Sequence, residues 1–314
     1  MKLQQLRCLT EVVRRGLNVS EAAEALHTSQ PGVSKQIRAL EDELGVQVFV
    51  RHGKRLVEVT EPGKAVIAIA ERILAEARNL RRAGDEYAND KLGTLAIAAT
   101  HTQARYALPP AVAAFKRRYP KVELHIQQGN PTQICEQVLA GEADLCVATE
   151  MIASYPDIVS MPVYQWNRCV VVPARHPLLK AGALTLEKLA QYPIVTYDFA
   201  FANRSLVQKA FESRGLAPNV VLSAQDSDVI KTYVELGLGV GILAKMAFDG
   251  KRDRALRAID AGHLFESSTT RLGIKRGAYL RRYAYEFIEL FAPHLPRSIV
   301  EPAVLGLEGS RYEL

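Results

Sequence analysis

The spacing of apolar residues changes near position 93, and this change requires the chain to contain more than one kind of domain. Before that point, apolar side chains recur at helical spacing, interrupted by one alternating stretch at 47–59. After it, short apolar runs of strand length alternate with helical patterns, which is typical of βα units in a parallel sheet. A chain of 314 residues is long enough for two or three domains.

Three helical segments are predicted within the first 45 residues. The first spans residues 2–13. Ser20 and Ser29 are expected to cap the second and the third helix, and Gly45 is expected to end the third. The turn between the second and third helices is the short segment His27-Thr28, a spacing typical of a helix-turn-helix.

A β-hairpin and a long helix are predicted to follow. Two alternating stretches, 47–51 and 56–59, flank residues 52–54 and indicate the hairpin. Thr60 is placed to cap a helix that runs to about residue 89. Near-heptad spacing along that helix favours pairing with a second copy. The apolar residues in question are Val66, Ile69, Ile73, Leu74 and Leu80.

The second helix of the helix-turn-helix presents polar and basic residues away from its apolar stripe. Such a helix fits the major groove of DNA, and a basic hairpin tip can contact the backbone. Residues 1–60 hold nine Lys/Arg and seven Asp/Glu, so the clustering of the cations matters more than the net charge. The alternative is an ordinary solvated face. The predicted DNA-contacting residues are Ser29, Gln30, Pro31, Ser34, Lys35, Arg38, Arg51 and Lys54.

From residue 93 onward, the pattern predicts two α/β lobes joined by crossing segments near 161–166 and 264–270. Strands are predicted at 95–99, 122–127, 144–148, 168–173, 193–197, 219–223 and 239–243. Helices are predicted at 103–118, 132–139, 185–190, 204–214 and 226–236. The last residues, about fifteen of them, have the composition of a loose tail.

These elements define the expected domain boundaries. The expected domains are a DNA-binding domain at 1–60, a linker helix at 61–91, a ligand-binding domain at 92–294 and a tail at 295–314. Within the ligand-binding domain, lobe I comprises 92–163 and 267–294, and lobe II comprises 164–266.

A ligand site is predicted between the lobes, because two-lobed α/β folds bind ligands at the carboxyl ends of their strands. Thr100 and Thr102 stand where the first strand meets its helix, so their hydroxyls and the free N–H groups there suit an anion. Thr149 ends another strand at the same edge. Trp166, the only tryptophan, lies at the predicted crossing and can form a wall of the site. The alternatives are a simple helix cap for the threonines and a core position for the tryptophan.

Composition argues against several classes of protein. No apolar run reaches the length of a membrane span, and the first residues lack a signal-peptide core, so we expect a cytoplasmic protein with no membrane partner. The four cysteines lack metal-ligand spacing, and Cys8, Cys146 and Cys169 are expected to be buried. The net charge of +6 is compatible with a polyanionic partner.

An enzyme and a solute-binding protein are the remaining alternatives. His101 lies near the proposed cleft, but no catalytic partner is evident, so we expect no catalytic residue, metal or cofactor. The absence of a leader and the presence of an N-terminal helical domain argue against a solute-binding protein. The glycines at 237, 239 and 241 follow a helix instead of opening one, which disfavours a nucleotide-binding loop.

The N-terminal segment carries a long, regularly spaced motif. It reads Ala22-Ala23-x-x-Leu26-x-x-Ser29-Gln30-Pro31-x-Val33-Ser34-x-Gln36-Ile37-x-x-Leu40-Glu41-x-x-Leu44-Gly45, then Phe49-x-Arg51-x-x-Lys54 and Thr60-x-x-Gly63. This motif resembles that of the LysR-type transcriptional regulators. The resemblance implies a winged helix-turn-helix, a dimerising linker helix and a two-lobed α/β effector domain like that of periplasmic binding proteins. It also implies a homotetramer built as a dimer of dimers on double-stranded promoter DNA, mainly an activator, with RNA polymerase as a partner.

Further stretches resemble one branch of that family, the CysB/Cbl regulators of sulfur assimilation. They cover the chain to about residue 295 and include 1–7, 100–109, 131–134, 166–168, 189–193, 228–234 and 236–241. The resemblance implies that the cleft binds sulfate or a small acetylated serine through Thr100, Thr102, Gln103, Thr149 and Trp166.

One effector position departs from the pattern of that branch. Relatives often carry a threonine where this chain has Ala202, which removes one hydroxyl donor from the predicted effector site. Two roles therefore stay open. One is control of cysteine biosynthesis in response to an acetylserine. The other is control of sulfonate or sulfate-ester use in response to sulfate or adenosine phosphosulfate.

Overall fold

A computed structural model describes residues 1–53, 55–88, 92–197 and 206–307, with only the backbone of residue 150. The chain divides into two compact units, Met1–Tyr87 and Ala88–Leu314. Within the described residues, no helix is both long and apolar enough to cross a membrane.

The N-terminal unit contains three short helices, a hairpin and a long helix, as predicted. Its elements are α1 (Leu3–Arg14), α2 (Val19–Ala25), α3 (Gln30–Leu44), β1 (Phe49–His52), β2 (Arg55–Val59) and α4 (Glu61–Ala88). Apolar residues from all three short helices and the hairpin form one core, with Leu9, Ile37 and Phe49 essentially inaccessible to solvent. The core extends along the first turns of α4 to Leu74.

The helix ends follow local chemistry, with one correction. Asn18, and not Ser20, caps α2, because the Asn18 side-chain oxygen accepts hydrogen bonds from the N–H groups of Ser20 and Glu21 at 3.1 and 3.2 Å. Ser29 caps α3 as predicted, and Gly45 ends it in a left-handed conformation with φ of 68°. The Thr60 hydroxyl accepts from the Gly63 N–H at 2.9 Å at the start of α4.

The C-terminal unit contains two five-stranded sheets, one in each lobe. The lobe I strands are β3 (Gly93–Ala99), β4 (Val122–Gln128), β5 (Leu145–Ala148), β6 (Ile158–Trp166) and β12 (Ser268–Lys275). The lobe II strands are β7 (Arg168–Pro173), β8 (Ile194–Tyr197), β9 (Val220–Ala224), β10 (Val240–Ala244) and β11 (Leu256–Asp260). Across the sheet, the strand order is β4-β3-β5-β12-β6 in lobe I and β11-β7-β10-β8-β9 in lobe II.

Helices cover both sheets. Lobe I carries α5 (Leu108–Arg118), α6 (Pro131–Ala140), α10 (Arg282–Phe291) and α11 (Arg297–Leu305), and lobe II carries α7 (Leu186–Leu189), α8 (Leu206–Glu212) and α9 (Ser227–Glu235). The predicted parallel pairing holds for β3 with β4 and β5 and for β8 with β9 and β10. The remaining pairings are antiparallel, because β7 and β12, the strands by which the chain enters a lobe after a crossing, run against the other strands of their sheets.

The first predicted crossing is wrong in position. Residues 161–166 belong to β6, which pairs with β12 as far as Trp166, so the chain crosses at Asn167 and lobe I extends beyond the predicted boundary at 163. The return crossing lies between β11 and β12, over residues 261–267. β6 is buried along most of its length and most of its residues are apolar, so its sequence lacks the polar–apolar alternation that indicates a strand.

The expected loose tail is also wrong over its first part. Residues 297–305 form α11, whose Val300 and Val304 are fully buried in the lobe I core. Pro302 lies inside this short helix and obscured its pattern, because proline normally interrupts helices.

The predicted helix at 103–118 begins with a wider turn. Residues Gln103–Ala107 are π-helical, and the N–H of Leu108 bonds to the carbonyl of Gln103. Pro109 and Pro110 have no N–H to donate to the preceding turn, which favours this widening. All four cysteines are free and buried, including the three expected to be so.

The start of α4 depends on a glycine, which leads to a stability prediction. A methyl group on Gly63 would lie 2.2 Å from the carbonyl oxygen of Val48, whereas one on Gly84, farther along α4, would meet nothing within 4 Å. We expect Gly63→Ala to destabilise the N-terminal domain by about 1–3 kcal/mol, the usual result of overpacking. Gly84→Ala is expected to stabilise α4 by about 0.5–1 kcal/mol.

Hydrogen exchange of the α1–α3 amides in the full-length protein measures the effect in the domain concerned. Protection lowered by Gly63→Ala but not by Gly84→Ala is the expected result. Equal protection in the two variants would show that the Val48 carbonyl does not limit the space at Gly63.

Candidate DNA-binding face and effector cleft

One face of α3 carries the polar residues predicted to contact DNA. Its apolar residues Val33, Ile37 and Leu40 are fully buried, which leaves the opposite face in solvent. The exposed residues there are Gln30, Pro31, Lys35 and Arg38, and Ser34 is half-buried among them. The structure therefore brings the predicted helix residues onto one surface.

Two of the predicted hydroxyl groups already have intramolecular contacts. The Ser29 hydroxyl accepts from the Gly32 N–H at 3.3 Å, which makes it the helix cap. The Gln30 side-chain amide donates to the Ser34 hydroxyl at 3.4 Å, a long contact that a stronger partner can replace. Lys35 and Arg38 project from the same surface and supply its positive charge.

Arg51 has a structural contact that the sequence did not reveal. Its guanidinium forms a salt bridge with Glu41 of α3, a side chain only 3% exposed. The same carboxylate accepts hydrogen bonds from the N–H groups of Val48 and Phe49 at 2.9 and 3.2 Å. Glu41 therefore anchors the hairpin on α3, and Arg51 neutralises it. Lys54 lies outside the described residues.

Two threonines predicted for the cleft lie at neighbouring strand ends. Thr100 follows β3 and Thr149 follows β5, and these strands are adjacent and parallel. The Thr100 N–H donates to the carbonyl of Val147 at 3.1 Å, which holds the two strand ends together. Both threonines are half-buried, and among the described residues neither hydroxyl has a hydrogen-bond partner.

Thr102 lies in lobe I but makes its side-chain contacts with lobe II. Its hydroxyl oxygen lies 3.3 Å from that of Ser227 and 3.5 Å from that of Tyr197. The Tyr197 and Ser227 hydroxyls are hydrogen-bonded to each other at 2.7 Å, and the Ala244 N–H donates to the Tyr197 oxygen at 3.2 Å. Sequence analysis missed both lobe II residues, because a tyrosine at a strand end and a serine at a helix start are common.

Gln103 is buried within lobe I, with 1% of its surface exposed. Its amide nitrogen donates to the Thr270 hydroxyl at 3.0 Å, and its amide oxygen accepts from the Tyr164 hydroxyl. These contacts with β12 and β6 orient the start of the helix that carries Thr102.

Trp166 lies at the end of β6, just before the crossing at Asn167. Its ring packs against apolar residues of the lobe II core, and the Arg168 guanidinium lies 5.2 Å from the ring centre. The buried indole N–H of Trp166 has no acceptor among the described residues. Ala202, the last of the predicted effector positions, lies outside the described residues.

An ionic cluster joins the lobes beside these hydroxyls. From lobe I, Arg105 lies 2.5 Å from the Asp228 carboxylate, and the Tyr106 hydroxyl donates to the same carboxylate at 2.7 Å. From lobe II, the Lys231 ammonium lies 3.1 Å from Asp228 and donates to Tyr106 and Asp253 at 3.2 and 3.0 Å. Asp228 thus receives positive charge from both lobes.

The pKa values of this cluster follow from burial opposed by its polar contacts. Burial by itself would raise the pKa of Asp228, but hydrogen bonds from Tyr106 and Lys231 and the nearby cations lower it. Burial disfavours the charged form of Lys231, yet contacts with Asp253, Tyr106 and Asp228 raise its pKa. Burial raises the pKa of Tyr106, so its hydroxyl stays protonated and able to donate.

His101, Asp226 and Asp228 place one ligand atom each within 4.8 Å of one another. The carboxylate of Asp226 accepts from the Val229 N–H at 2.8 Å as a helix cap, and Asp228 is neutralised by Arg105 and Lys231. Because both carboxylates already have partners, we assign no metal to this group.

A separate concavity of about 640 Å³ lies within lobe II, away from the predicted effector residues. Its lining mixes basic Lys209 and Arg214 with acidic Glu187 and Glu266, so it does not favour an anion. The strand ends near Thr100 and Thr149 suit an anionic effector better.

Comparison with known families and proteins agrees with this architecture. Residues 3–64 match the bacterial regulatory helix-turn-helix protein family of lysR type, and residues 88–296 match the LysR substrate-binding domain. The chain belongs to the LysR family of transcriptional regulators. The predicted regulator is confirmed, and the enzyme alternative is wrong.

Individual relatives place this LysR-type regulator in the CysB/Cbl branch. It is 56% identical to the HTH-type transcriptional regulator CysB of Burkholderia cenocepacia over 314 residues, which is the whole of both chains. It is 55% identical to the regulator SsuR of the same organism over 295 residues, 94% of this chain and 96% of the relative.

A solved structure resembles the effector domain. The cofactor-binding domain of the Cbl transcriptional regulator superposes with a TM-score of 0.66 at 42% identity, covering 70% of this chain and 96% of that one.

The ionic cluster of this LysR-type regulator makes a testable contribution to the stability of the effector domain. Asp228→Asn removes the charge shared by Arg105 and Lys231, and we expect the thermal midpoint of that domain to fall by about 2–4 °C, as for a loss of ~1 kcal/mol. Asp260→Asn is the control, because the exposed Asp260–Lys245 pair lies within lobe II.

The pH dependence has a defined sign. A carboxylate with a lowered folded pKa stabilises the native state above its ordinary pKa, and this contribution disappears as the pH falls through the folded value. Scanning calorimetry of the full-length Asp228→Asn and wild-type proteins should therefore show thermal midpoints that differ at neutral pH and approach each other in acid. A difference that stays constant into strong acid would contradict the role given to the charge.

Proposed function

We propose that this protein controls sulfur-assimilation genes, mainly as an activator of cysteine biosynthesis, in response to a small anionic effector bound between its lobes. The observation that carries the proposal is the set of donors without acceptors at the lobe junction. These are the hydroxyls of Thr100 and Thr149 at adjacent strand ends and the buried indole N–H of Trp166. The indole N–H is buried, and an unsatisfied buried donor is costly, so a ligand rich in acceptor oxygens suits this set of donors.

The relatives support the branch and leave two effectors open. The chain is nearly as similar to a regulator named SsuR as to one named CysB, at 55% and 56% identity. Ala202 also lacks a hydroxyl that relatives often carry. The second candidate is therefore a regulator of sulfonate or sulfate-ester use that responds to sulfate or adenosine phosphosulfate.

Assembly belongs to the same proposal. On α4, Ile69 is 47% exposed and Leu80 is 76% exposed, so part of the predicted near-heptad stripe is free to pair with a second copy. Such a dimer places two α3 helices in successive major grooves, about one helical turn apart. We propose a homotetramer of two dimers that acts on promoter DNA in the cytoplasm and contacts RNA polymerase.

Effector binding can alter DNA binding only if the lobe arrangements differ in their affinity for the effector. We propose that the effector favours the arrangement in which both lobes contact it at the junction near Thr102. The hydroxyls and charges that join the lobes are individually weak contacts, so a bound anion can shift the balance between arrangements.

Calorimetric titration of the full-length protein with O-acetylserine, N-acetylserine, sulfate and adenosine phosphosulfate tests the effector. Tight binding of an acetylserine supports control of cysteine biosynthesis, and binding of only sulfate or the sulfated nucleotide supports the second candidate. Thr149→Val should weaken binding at least tenfold, the effect of losing one hydrogen bond to an anion. Thr94→Val, at the opposite end of β3, is the control and should leave the affinity for the effector unchanged. Absence of binding by all four ligands would contradict the proposed effector class.

The DNA-binding face makes an independent prediction. Arg38→Ala should weaken promoter binding and reduce the slope of log affinity against log salt concentration by about one, because one phosphate contact is lost. Fluorescence anisotropy with labelled promoter DNA at several salt concentrations measures both quantities. Arg117→Ala removes the same charge from an exposed site on α5 and should leave both unchanged.

Effector affinity separates the two functions of the chain. We expect Arg38→Ala to bind the effector like the wild type, and Thr102→Ala to lose effector affinity while still binding DNA. Loss of effector binding by a folded Arg38→Ala protein would show that the division of roles between the domains is wrong.

A further inference from the structure

The hydroxyls of Thr102, Tyr197 and Ser227 form a closed triangle across the lobe junction. The edge within lobe II, Tyr197 to Ser227, measures 2.7 Å, whereas the two edges that cross from lobe I measure 3.3 and 3.5 Å. Hydroxyl hydrogen bonds are strongest near 2.7–2.8 Å. The cross-lobe edges are therefore the weak ones, and they are the contacts most readily exchanged for a better acceptor.

The burial of these groups makes their hydrogen bonds matter. Ser227 is inaccessible to solvent, and Thr102 is 9% exposed. A buried hydroxyl without a partner is costly, so the three groups satisfy one another in this arrangement. An anionic oxygen placed among them would accept charge-assisted hydrogen bonds, which are about twice as strong as neutral ones.

A backbone contact biases the triangle toward donation. The Ala244 N–H donates to the Tyr197 oxygen at 3.2 Å and so occupies one of its acceptor positions. The Tyr197 O–H is then left to donate, and the Ser227 and Thr102 hydroxyls can each rotate to donate as well. Three donors that converge from two lobes match a group with acceptor oxygens only, such as sulfate, sulfonate or carboxylate.

Tyr197 and Ser227 lie in lobe II at positions equivalent to those of Thr100 and Thr149 in lobe I. Tyr197 is the last residue of β8, and Ser227 opens α9 after the neighbouring parallel strand β9. Thr100 and Thr149 occupy the corresponding carboxyl ends of β3 and β5 in lobe I. Ligands of open α/β sheets bind at these ends, so the topology places donors of both lobes at one junction.

We infer that Tyr197 and Ser227 are the lobe II half of the effector site and that they select for the oxyanion of the effector. This inference rests on the proposed function, since it assigns further contacts to the same ligand. In this arrangement, the effector oxyanion takes the place of the long Thr102 contacts and is bound by both lobes at once. Binding of the anion and closure of the lobes are then one event.

Single-hydroxyl variants of the full-length protein test the inference. Ser227→Ala and Tyr197→Phe each remove one donor, and calorimetric titration should show affinity for sulfate or O-acetylserine, whichever the wild type binds, reduced by about tenfold or more. Thr232→Ala removes an exposed hydroxyl from the same helix, α9, and should bind like the wild type.

A second measurement separates recognition from a purely structural role. The urea midpoint of the effector-free protein should fall in Ser227→Ala, because the Tyr197 hydroxyl loses a partner, and the further stabilisation caused by saturating effector should also be smaller than in the wild type. A lowered midpoint without effector, together with unchanged effector affinity, would show that the hydroxyl only supports the fold and would overturn the inference.

The outcomes also distinguish this inference from the proposed function. One outcome is that the wild type binds an oxyanion, Thr149→Val does not, and the affinities of Ser227→Ala and Tyr197→Phe stay within twofold of the wild type. The lobe II assignment is then wrong, and the proposed function stands. If the wild type binds none of the ligands, the proposed effector class fails and this assignment fails with it.

Discussion

The arrangement of the effector domain depends on a constraint of chain connectivity, namely that its two sheets are joined by two crossings. The first consists of the single residue Asn167 between β6 and β7, and the second links β11 to β12. β6 and β11, which lead into the crossings, run in the same direction as the parallel strands of their sheets, whereas β7 and β12, which follow the crossings, run against those of theirs. The carboxyl ends of the parallel strands in both lobes therefore meet at one junction, where Thr102 reaches Tyr197 and Ser227.

Each lobe has its own apolar core, and the junction between them is mainly polar. Lobe I is held by the cluster around Phe115 and Phe287, and lobe II by the cluster around Phe211. Tyr106 and Trp166 reach from lobe I onto the lobe II core, and hydroxyl contacts and the charges around Asp228 join the lobes beside them. Such polar contacts contribute little net free energy each, so the arrangement of the lobes depends only weakly on any one of them.

The DNA-binding domain is stabilised by different means from the effector domain. Its core is mainly apolar, and the buried Glu41 carboxylate fixes the hairpin to α3 through two backbone N–H groups and Arg51. The exposed face of α3 is therefore presented by a rigid support. Arg51 is partly committed to that support, whereas Lys35 and Arg38 project into solvent.

Local chemistry was enough to place most elements from the amino-acid sequence. The helices of the N-terminal domain, the cap at Ser29, the parallel strands and the threonines at strand ends all depend on periodicity or on neighbours a few residues away. The partners of these residues depend instead on contacts distant in the chain. Thr102 meets Ser227 across 125 positions, and Gln103 meets Thr270 across 167, and no spacing rule connects such pairs. Strands β6, β11 and β12 and helices α10 and α11 were not predicted for the same reason, since burial against elements distant in the chain stabilises them. Residue types and their spacing therefore determined the family, the fold class and the lobe I residues at the junction, whereas the folded chain alone decided which lobe II groups they meet.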